Sequence, residues 1–132
     1  MDISVDPMSS VAIYQQIRDR VVEAIARGQL RRGDPLLSVR QLAATFAINP
    51  TTASKAYDLL RSESLVATNA KSGTFVAADP TTLTPSEAFV SDYGDRLRTL
   101  LAEGRARGLA VDDLRALCVR LTEEFPTEET KR

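Results

Sequence analysis

The fold is decided by residues 38–61, which read SVRQLAATFAINPTTASKAYDLLR. Apolar residues recur there at helical spacing on both sides of a gap of about three or four residues, which predicts two short helices joined by a tight turn. Ser38 followed by Gln41 forms a capping box for the first helix, and Asn49 followed by Pro50 suits the start of the second. Two helices spaced so closely are typical of a helix-turn-helix.

The segments on either side of this helix pair complete a larger pattern. Upstream, residues 11–27 repeat apolar side chains on one helical face, and residues 28–35 contain two glycines and a proline, which indicates turns. Downstream, residues 65–68 and 74–78 have strand-like composition around a polar turn that contains glycine, which predicts a β-hairpin. A hairpin in this place is a wing, so we predict a winged helix-turn-helix domain over residues 1–78.

The rest of the chain predicts a linker and two more helices. Residues 79–85 are polar and contain two prolines, so they are interpreted as the linker. A fourth helix is expected to start at Thr84, because Thr84 and Glu87 repeat the capping-box pattern, and a fifth helix spans residues 111–125. The predicted fold class is mainly α with a small β-hairpin wing, followed by a two-helix dimerisation domain over residues 86–126 and a loose tail over residues 127–132.

Each of these last two helices carries one apolar stripe, and two helices alone cannot shield both stripes from water. We therefore expect the stripes to meet each other and a second copy of the chain, as in a four-helix arrangement. The alternative left open is that they fold back on their own winged domain. The predicted dimer interface consists of Phe89, Tyr93, Leu97, Leu100, Leu101, Leu114, Leu117 and Leu121.

Composition excludes several classes of function. The chain has one cysteine, Cys118, and no histidine, which argues against zinc and most transition-metal sites, so no cofactor or metal is expected. No nucleophile elbow or phosphate-binding loop is present, so we do not expect an enzyme. No apolar run approaches the roughly 20 residues of a membrane helix, and the N-terminus lacks the pattern of a signal peptide. We expect a cytoplasmic protein without membrane partners, and interpret Cys118 as a core residue and not a redox sensor.

Charge is distributed unevenly along the chain. The formal net charge is −1, with net +2 over residues 1–78 and net −3 over residues 79–132. This mild asymmetry fits a front half that meets phosphates and a back half that does not. It would fit many other proteins equally well.

The second helix of the helix-turn-helix offers a surface suited to DNA. Such a helix can enter the major groove, where side chains near its N-terminus face base edges and its exposed N–H groups can meet phosphates. The wing tip is suited to a phosphate or the minor groove, and Arg40 to a phosphate or a base. Each residue is also compatible with an ordinary surface role. The predicted DNA-binding residues are Ser38, Arg40, Thr51, Thr52, Ser54, Lys55, Lys71, Ser72 and Gly73.

Residues 13–78 resemble the DNA-binding domain of the GntR family of bacterial transcription regulators. Residues 28–40 are similar to the family's turn G-x-L-x-x-G-x-x-L-P-S-x-R, and residues 73–76 to its wing strand. Asn49-Pro50, Ala56-Tyr57 and the short back half resemble the YtrA-like branch. The resemblance implies DNA contacts by Arg40, Thr51, Thr52, Lys55 and the wing at residues 71–73.

The chain departs from the family pattern at four positions. Leu37 stands where proline is usual, which makes the approach to the helix pair less rigid. Lys71 stands where a wing glycine is common, and Ala53 and Ser54 are smaller than the family's usual residues. These departures concern the wing contact and base reading more than the fold.

Together, the residues and the resemblance predict a homodimeric transcription regulator, a repressor that binds a pseudo-palindromic operator in double-stranded DNA and lies on the nucleoid when bound. The alternative is a winged-helix protein-interaction module without specific DNA binding. The sequence leaves open a small-molecule effector in the two-helix domain, and does not identify one.

Overall fold

The computed structural model describes residues 3–127 of the chain. Within this range the elements are α1 (Ile13–Ala26), α2 (Val39–Phe46), α3 (Pro50–Ser62), β1 (Val66–Asn69), β2 (Gly73–Val76), α4 (Glu87–Ala106) and α5 (Val111–Thr122). The chain divides into two compact units between Leu83 and Thr84. The prediction of a mainly α fold with a hairpin wing and a following helix pair is confirmed. Of the predicted loose tail, only Thr127 lies within the described residues.

The helix-turn-helix is fixed by the caps that its sequence predicts. Ser38 Oγ accepts a hydrogen bond from Gln41 N at 3.1 Å, and Gln41 Oε1 accepts one from Ser38 N at 2.9 Å, which completes the capping box of α2. Asn49 caps α3 and Pro50 occupies its first turn. The turn between them begins at Ala47, which has a left-handed backbone with φ 53°.

The core of the first unit lies where α1 and α2 pack on α3 and on the wing. Its largest fully buried side chains are Tyr57, Ile17, Leu42, Leu60, Val21 and Val76. The Tyr57 hydroxyl donates a hydrogen bond of 2.6 Å to the carbonyl oxygen of Leu37, and burial raises the pKa of Tyr57 to about 12. This bond holds the backbone at Leu37, which precedes α2 and stands where the family usually has proline.

The segment before α1 is part of the same core, which sequence periodicity did not indicate. Ile3 is buried and Val5 packs partly against the core. The buried Gln16 holds this segment: its amide oxygen accepts from Asp6 N at 2.7 Å, and its amide nitrogen donates to the carbonyl oxygens of Asp6 and Val11. A buried polar side chain is stable here because its hydrogen bonds replace those to water.

The wing is an antiparallel pair in which Val66 lies opposite Val76 and Asn69 opposite Gly73. β2 also bonds on its other edge to the turn before α2: Gly33 N donates to Val76 O, Val76 N to Asp34 O and Leu36 N to Thr74 O. Backbone hydrogen bonds therefore join the wing to the segment that leads into the helix-turn-helix.

The chain after the wing differs from the predicted linker. Asp79 is buried, and its carboxylate accepts a hydrogen bond from Arg32 N in the turn before α2. Asp79 is followed by a hydrogen-bonded turn that ends at Thr82. The first residues of the predicted linker are thus held against the first unit, because a buried carboxylate needs the hydrogen bonds that this turn supplies.

The second unit consists of α4 and α5. The prediction that α4 starts at Thr84 is wrong: Ser86 is the capping residue, and its Oγ accepts from Phe89 N at 3.1 Å. α5 ends at Thr122 and not at residue 125, because the backbone after it forms tighter turn bonds, from Glu124 N to Leu121 O and from Phe125 N to Thr122 O. The helices approach closely at Gly104, where an added Cβ would lie 3.1 Å from the side chains of Leu109 and Leu114.

No helix among residues 3–127 is both long enough and apolar enough to cross a membrane.

Candidate nucleic-acid interface

The first turn of α3 carries the predicted base-reading residues. Thr51 is exposed, Thr52 and Ser54 are half-buried, and Lys55 is exposed. Asn49 occupies the backbone donors of this turn: its side-chain oxygen accepts from Thr51 N at 2.7 Å, and its carbonyl oxygen accepts from Thr52 N and Ala53 N. These N–H groups therefore already have acceptors within the start of the helix, and their contact with phosphates stays a prediction. This end of α3 offers its side chains to a ligand.

Lys55 has a defined neighbour on α1. Its Nζ lies 4.1 Å from the ring centroid of Tyr14, which is the geometry of a cation–π contact. The ammonium group is thereby held beside the N-terminal half of α3 and remains exposed. Sequence reasoning placed Tyr14 only on the apolar stripe of α1, because no pattern in the sequence pairs it with Lys55.

Arg40 and Ser38 lie at the start of α2. The Ser38 hydroxyl oxygen is used as the helix cap, which leaves its proton available to donate. Arg40 is exposed, and no carboxylate within residues 3–127 forms an ion pair with it. The interpretation of Arg40 as an ordinary surface half of an ion pair is therefore not supported. Its guanidinium is free to make two parallel hydrogen bonds to a phosphate or a guanine edge.

The wing presents Lys71, Ser72 and Gly73 at its exposed tip. The tip is closed by Asn69, whose side-chain oxygen accepts from Ser72 N at 2.6 Å, and by Gly73, whose φ of +68° favours glycine. The backbone N–H of Ser72 is thus occupied, and Lys71 supplies the charge at this tip.

Arg61 connects the wing to α3, a role that the sequence did not indicate. One of its guanidinium nitrogens donates to Thr68 Oγ1 of β1 at 2.8 Å, and the other to Asp58 at 2.6 Å. Thr68 in turn bonds to Thr74 across the hairpin at 3.1 Å. The chain of contacts sets the position of the wing relative to the recognition helix.

The predicted interface residues of the second unit fall into two groups. Leu101, Leu114 and Leu117 are half-buried, whereas Phe89, Tyr93, Leu97, Leu100 and Leu121 are exposed. Phe89 and Tyr93 stack with ring centroids 5.8 Å apart. A shallow groove of about 150 Å³ on α4 is lined by Tyr93, Arg96, Leu97 and Leu100. One chain therefore presents an apolar surface on α4 and α5.

The first unit has the architecture of a winged helix-turn-helix, the class of domain that places its second short helix in the major groove of DNA. Residues 13–76 match the family described as bacterial regulatory proteins, gntR family. The chain belongs to this family, and it is a DNA-binding transcription regulator and not an enzyme.

Individual relatives agree with this assignment. The HTH-type transcriptional repressor YtrA of Bacillus subtilis (strain 168) is 34% identical over 112 residues, which cover 85% of this chain and 85% of that protein. The structure of YtrA from Sulfolobus acidocaldarius, a GntR-family transcription factor, is 31% identical with a TM-score of 0.60, and the match covers 79% of this chain and 97% of that chain. The predicted resemblance to the YtrA-like branch is confirmed.

A third relative shows the fold over nearly the whole length. The structure of a transcriptional antiterminator from Listeria monocytogenes EGD-e has a TM-score of 0.84 at 24% identity, and the match covers 96% of this chain and 95% of that chain.

Proposed function

We propose that this chain is a homodimeric repressor that binds a pseudo-palindromic operator in double-stranded DNA. The proposed DNA contacts are the predicted DNA-binding residues, which lie at three element ends: the start of α2, the start of α3 and the wing tip. The proposal of repression rests on the YtrA repressor of Bacillus subtilis, a relative of nearly matching length. A regulator of this kind acts on the chromosome, so we place it in the cytoplasm, on the nucleoid when bound.

The observation that supports these DNA contacts is which Lys and Arg side chains of the first unit have an acidic partner and which do not. Arg18 is paired with Glu63 and Asp19, and Arg61 with Asp58. Arg40 and Lys71, at two of the three element ends, have no carboxylate partner among the described residues, and Lys55 at the third is held by a ring and not by a carboxylate. Cations left without acidic partners on one compact unit are suited to a polyanion.

Thr51, Thr52 and Ser54 supply short side chains at the start of the recognition helix. Their hydroxyl groups can donate to or accept from base edges in the major groove, and threonine methyl groups can contact thymine methyls. Because the backbone donors of this turn are occupied by Asn49, we assign discrimination between base pairs to these side chains and to Arg40.

The apolar surface of the second unit supports the dimer. On α4 and α5 the side chains of Phe89, Tyr93, Leu100 and Leu121 are between 46% and 63% exposed in one chain. Large apolar side chains exposed to this extent along a helix are typical of an interface, and a second copy supplies a matching stripe through two-fold symmetry. We assign the groove on α4 to this interface and not to an effector, because three of its four lining residues belong to the predicted dimer contacts.

The experiment is binding of the full chain to duplex DNA from the promoter region of its own gene, measured by fluorescence anisotropy across a salt series. We expect tight binding to one inverted repeat that weakens steeply with salt, because each neutralised phosphate releases counterions. Arg40→Ala should weaken specific binding by about 1–3 kcal/mol. Arg115→Ala, which removes the same charge from α5, is the matched control and should leave binding unchanged. Binding without preference for sequence across promoter and random duplexes would contradict the proposal.

A further inference from the structure

The turn at residues 79–82 fastens the chain to the first unit immediately after the wing. Asp79 is 7% exposed, and its Oδ2 accepts from Arg32 N at 2.8 Å. Its Oδ1 accepts from Thr81 N at 2.8 Å and from Thr81 Oγ1 at 2.6 Å. Thr82 closes the turn, since Thr82 N donates to the carbonyl oxygen of Asp79 at 3.0 Å and Asp79 N donates to Thr82 Oγ1 at 3.0 Å.

The consequence is a short connector between the two units. Thr82 is the last residue of this turn, and Ser86 already caps α4. Only residues 83–85 lie between them, and the last of these is Pro85, whose ring fixes φ. The four Cα–Cα steps from Thr82 to Ser86 extend over roughly 14 Å at most. Loss of the bond from Arg32 N to Asp79 would remove a contact that holds this turn on the first unit, and a connector that also included residues 79–82 would reach about twice as far.

Connector length matters for a dimer that must place two recognition helices on one duplex. Each added base pair moves a half-site by roughly 3.4 Å along the DNA axis and rotates it by roughly 35° around that axis. Once one winged unit has bound its half-site, the other winged unit of the dimer is held near the second half-site. A short connector makes its effective concentration there high, but only at half-site separations that the connector can span. A longer connector reaches more separations and lowers the effective concentration at the best one.

We propose that Asp79 determines operator spacing: by holding residues 79–82 on the first unit, its carboxylate keeps the connector short and so restricts the half-site separations that the dimer binds. This inference rests on the proposed function, because it requires a dimer that binds two half-sites. Asp79 acts here as a positioning residue, and it touches no base or phosphate.

The test uses duplexes that carry the inverted repeat selected by the wild-type full chain from a random-sequence DNA pool. The same repeat is remade with spacers from two base pairs shorter to two base pairs longer, and the dissociation constant is measured for each duplex at one salt concentration. For the wild type, we expect a loss of about tenfold or more when the spacer changes by two base pairs. For Asp79→Ala, we expect a loss of about threefold or less over the same range, with binding at the best spacer weakened a few-fold.

Asp34→Ala is the matched control. It also removes a carboxylate that accepts one backbone N–H in the turn before α2, that of Arg31, at 2.8 Å, and it does not alter the connector. We expect this variant to keep the wild-type spacing preference. Binding to a duplex with a single half-site reports separately on the fold of the winged unit, and it should be equal in all variants.

Asp79→Asn provides a second variant should Asp79→Ala fail to fold. It keeps the size of the side chain and loses at least one accepted hydrogen bond, because an amide nitrogen cannot accept from an N–H group. Inserting Gly-Ser-Gly-Ser between Leu83 and Thr84 lengthens the connector while leaving Asp79 intact, and should also flatten the spacing preference.

The outcomes separate the two proposals. A wild-type spacing preference that persists in both Asp79 variants would overturn the role of Asp79, and so would a wild type that tolerates all spacers equally. Failure of the wild type to select any inverted repeat would overturn the proposed function, and this inference with it. A flattened preference in the Asp79 variants, with Asp34→Ala unchanged, supports the proposal.

Discussion

Ala47 adopts a left-handed backbone, with φ 53°, at the turn of the helix-turn-helix. An L-residue in this region costs about 1–2 kcal/mol, because Cβ crowds the following carbonyl oxygen. We therefore expect Ala47→Gly to raise the free energy of unfolding by up to about 1 kcal/mol, measured by urea denaturation. Ala44→Gly, at an exposed position inside α2, is the control and should lower that free energy by about 0.5–1 kcal/mol. Equal losses in both variants would show that the backbone of Ala47 is not strained.

Tyr14 holds the ammonium group of Lys55 over its ring. If Lys55 contacts a phosphate from this position, Tyr14→Leu should weaken DNA binding by about 0.5–1 kcal/mol, whereas Tyr14→Phe, which keeps a π face, should not. The measurement is a double-mutant cycle with Lys55→Met, in which the effect of Tyr14→Leu should disappear. An unchanged effect of Tyr14→Leu in the Lys55→Met background would assign it to packing. No effect of Lys55→Met alone would remove Lys55 from the DNA contacts.

Asp79 also gives the stability of the chain a pH dependence. The backbone N–H of Arg32 and the hydroxyl of Thr81 bond to its carboxylate and lower the pKa of Asp79 below its usual value. A group with a depressed pKa stabilises the fold above its unfolded pKa of about 3.9, and this contribution is lost as pH falls through the folded value. We expect the difference in unfolding free energy between the wild type and Asp79→Asn to be larger at pH 7 than at pH 3. A difference that is the same at both pH values would contradict this account.

At the scale of elements, Arg61 adds a side-chain hydrogen bond between α3 and Thr68 of the hairpin. Arg61→Met keeps the apolar stem and removes the hydrogen bond to Thr68. We expect amide hydrogen exchange in β1 and at the wing tip to rise by an amount equivalent to about 1 kcal/mol of protection. Arg20→Met, which breaks an ion pair within α1, is the matched control and should leave exchange in the wing unchanged. If exchange in the wing is the same in Arg61→Met as in Arg20→Met, Arg61 does not position the wing.

Most helices and strands could be located from the sequence because each begins beside a local signal, such as a capping residue or a turn. A capping box predicted the start of α2, Asn49 and Pro50 predicted the start of α3, and the Gly-containing turn predicted the hairpin. The start of α4 was wrong by two residues, because Thr84 and Ser86 are both hydroxyl side chains that can cap a helix near Glu87. A local pattern supports both starts, so it cannot choose between them.

The contacts that position the candidate site were largely beyond sequence reasoning. Three of these contacts join residues that are between 10 and 47 positions apart in the chain: Gln16 with Asp6, Asp79 with Arg32, and Tyr14 with Lys55. Such pairs depend on how elements pack and leave no periodic signal. The side chains at the start of α3 could be predicted, since they follow from the position of the N-cap alone.

At the scale of the whole molecule, charge and apolar surface are separated between the two units. Residues 1–78 carry net +2 and residues 79–132 carry net −3. The apolar residues of α4 and α5 that are exposed in one chain lie in the acidic unit. This distribution agrees with the proposed function, in which the first unit binds the duplex and the second unit binds another copy.

Leu121 tests the proposed dimer directly. We expect Leu121→Asp to convert the dimer to a monomer while the winged unit stays folded, because a carboxylate buried in an apolar interface without a partner costs several kcal/mol. The measurement is molar mass by analytical ultracentrifugation, with circular dichroism as the check on folding. Ala116→Asp adds the same charge on the opposite side of α5 and should remain dimeric. A dimeric Leu121→Asp would show that the interface lies elsewhere.

The cap at Asn49 has a consequence for how this regulator could change over evolutionary time. Because Asn49 and Pro50 leave no free backbone donor at the start of α3, the proposed base reading by this helix rests on a few short side chains outside the buried core. A duplicated gene could therefore acquire a new set of target promoters through changes at Thr51, Thr52 and Ser54. The fold of the copy would stay the same, and only a few codons would have to change for it to regulate other genes.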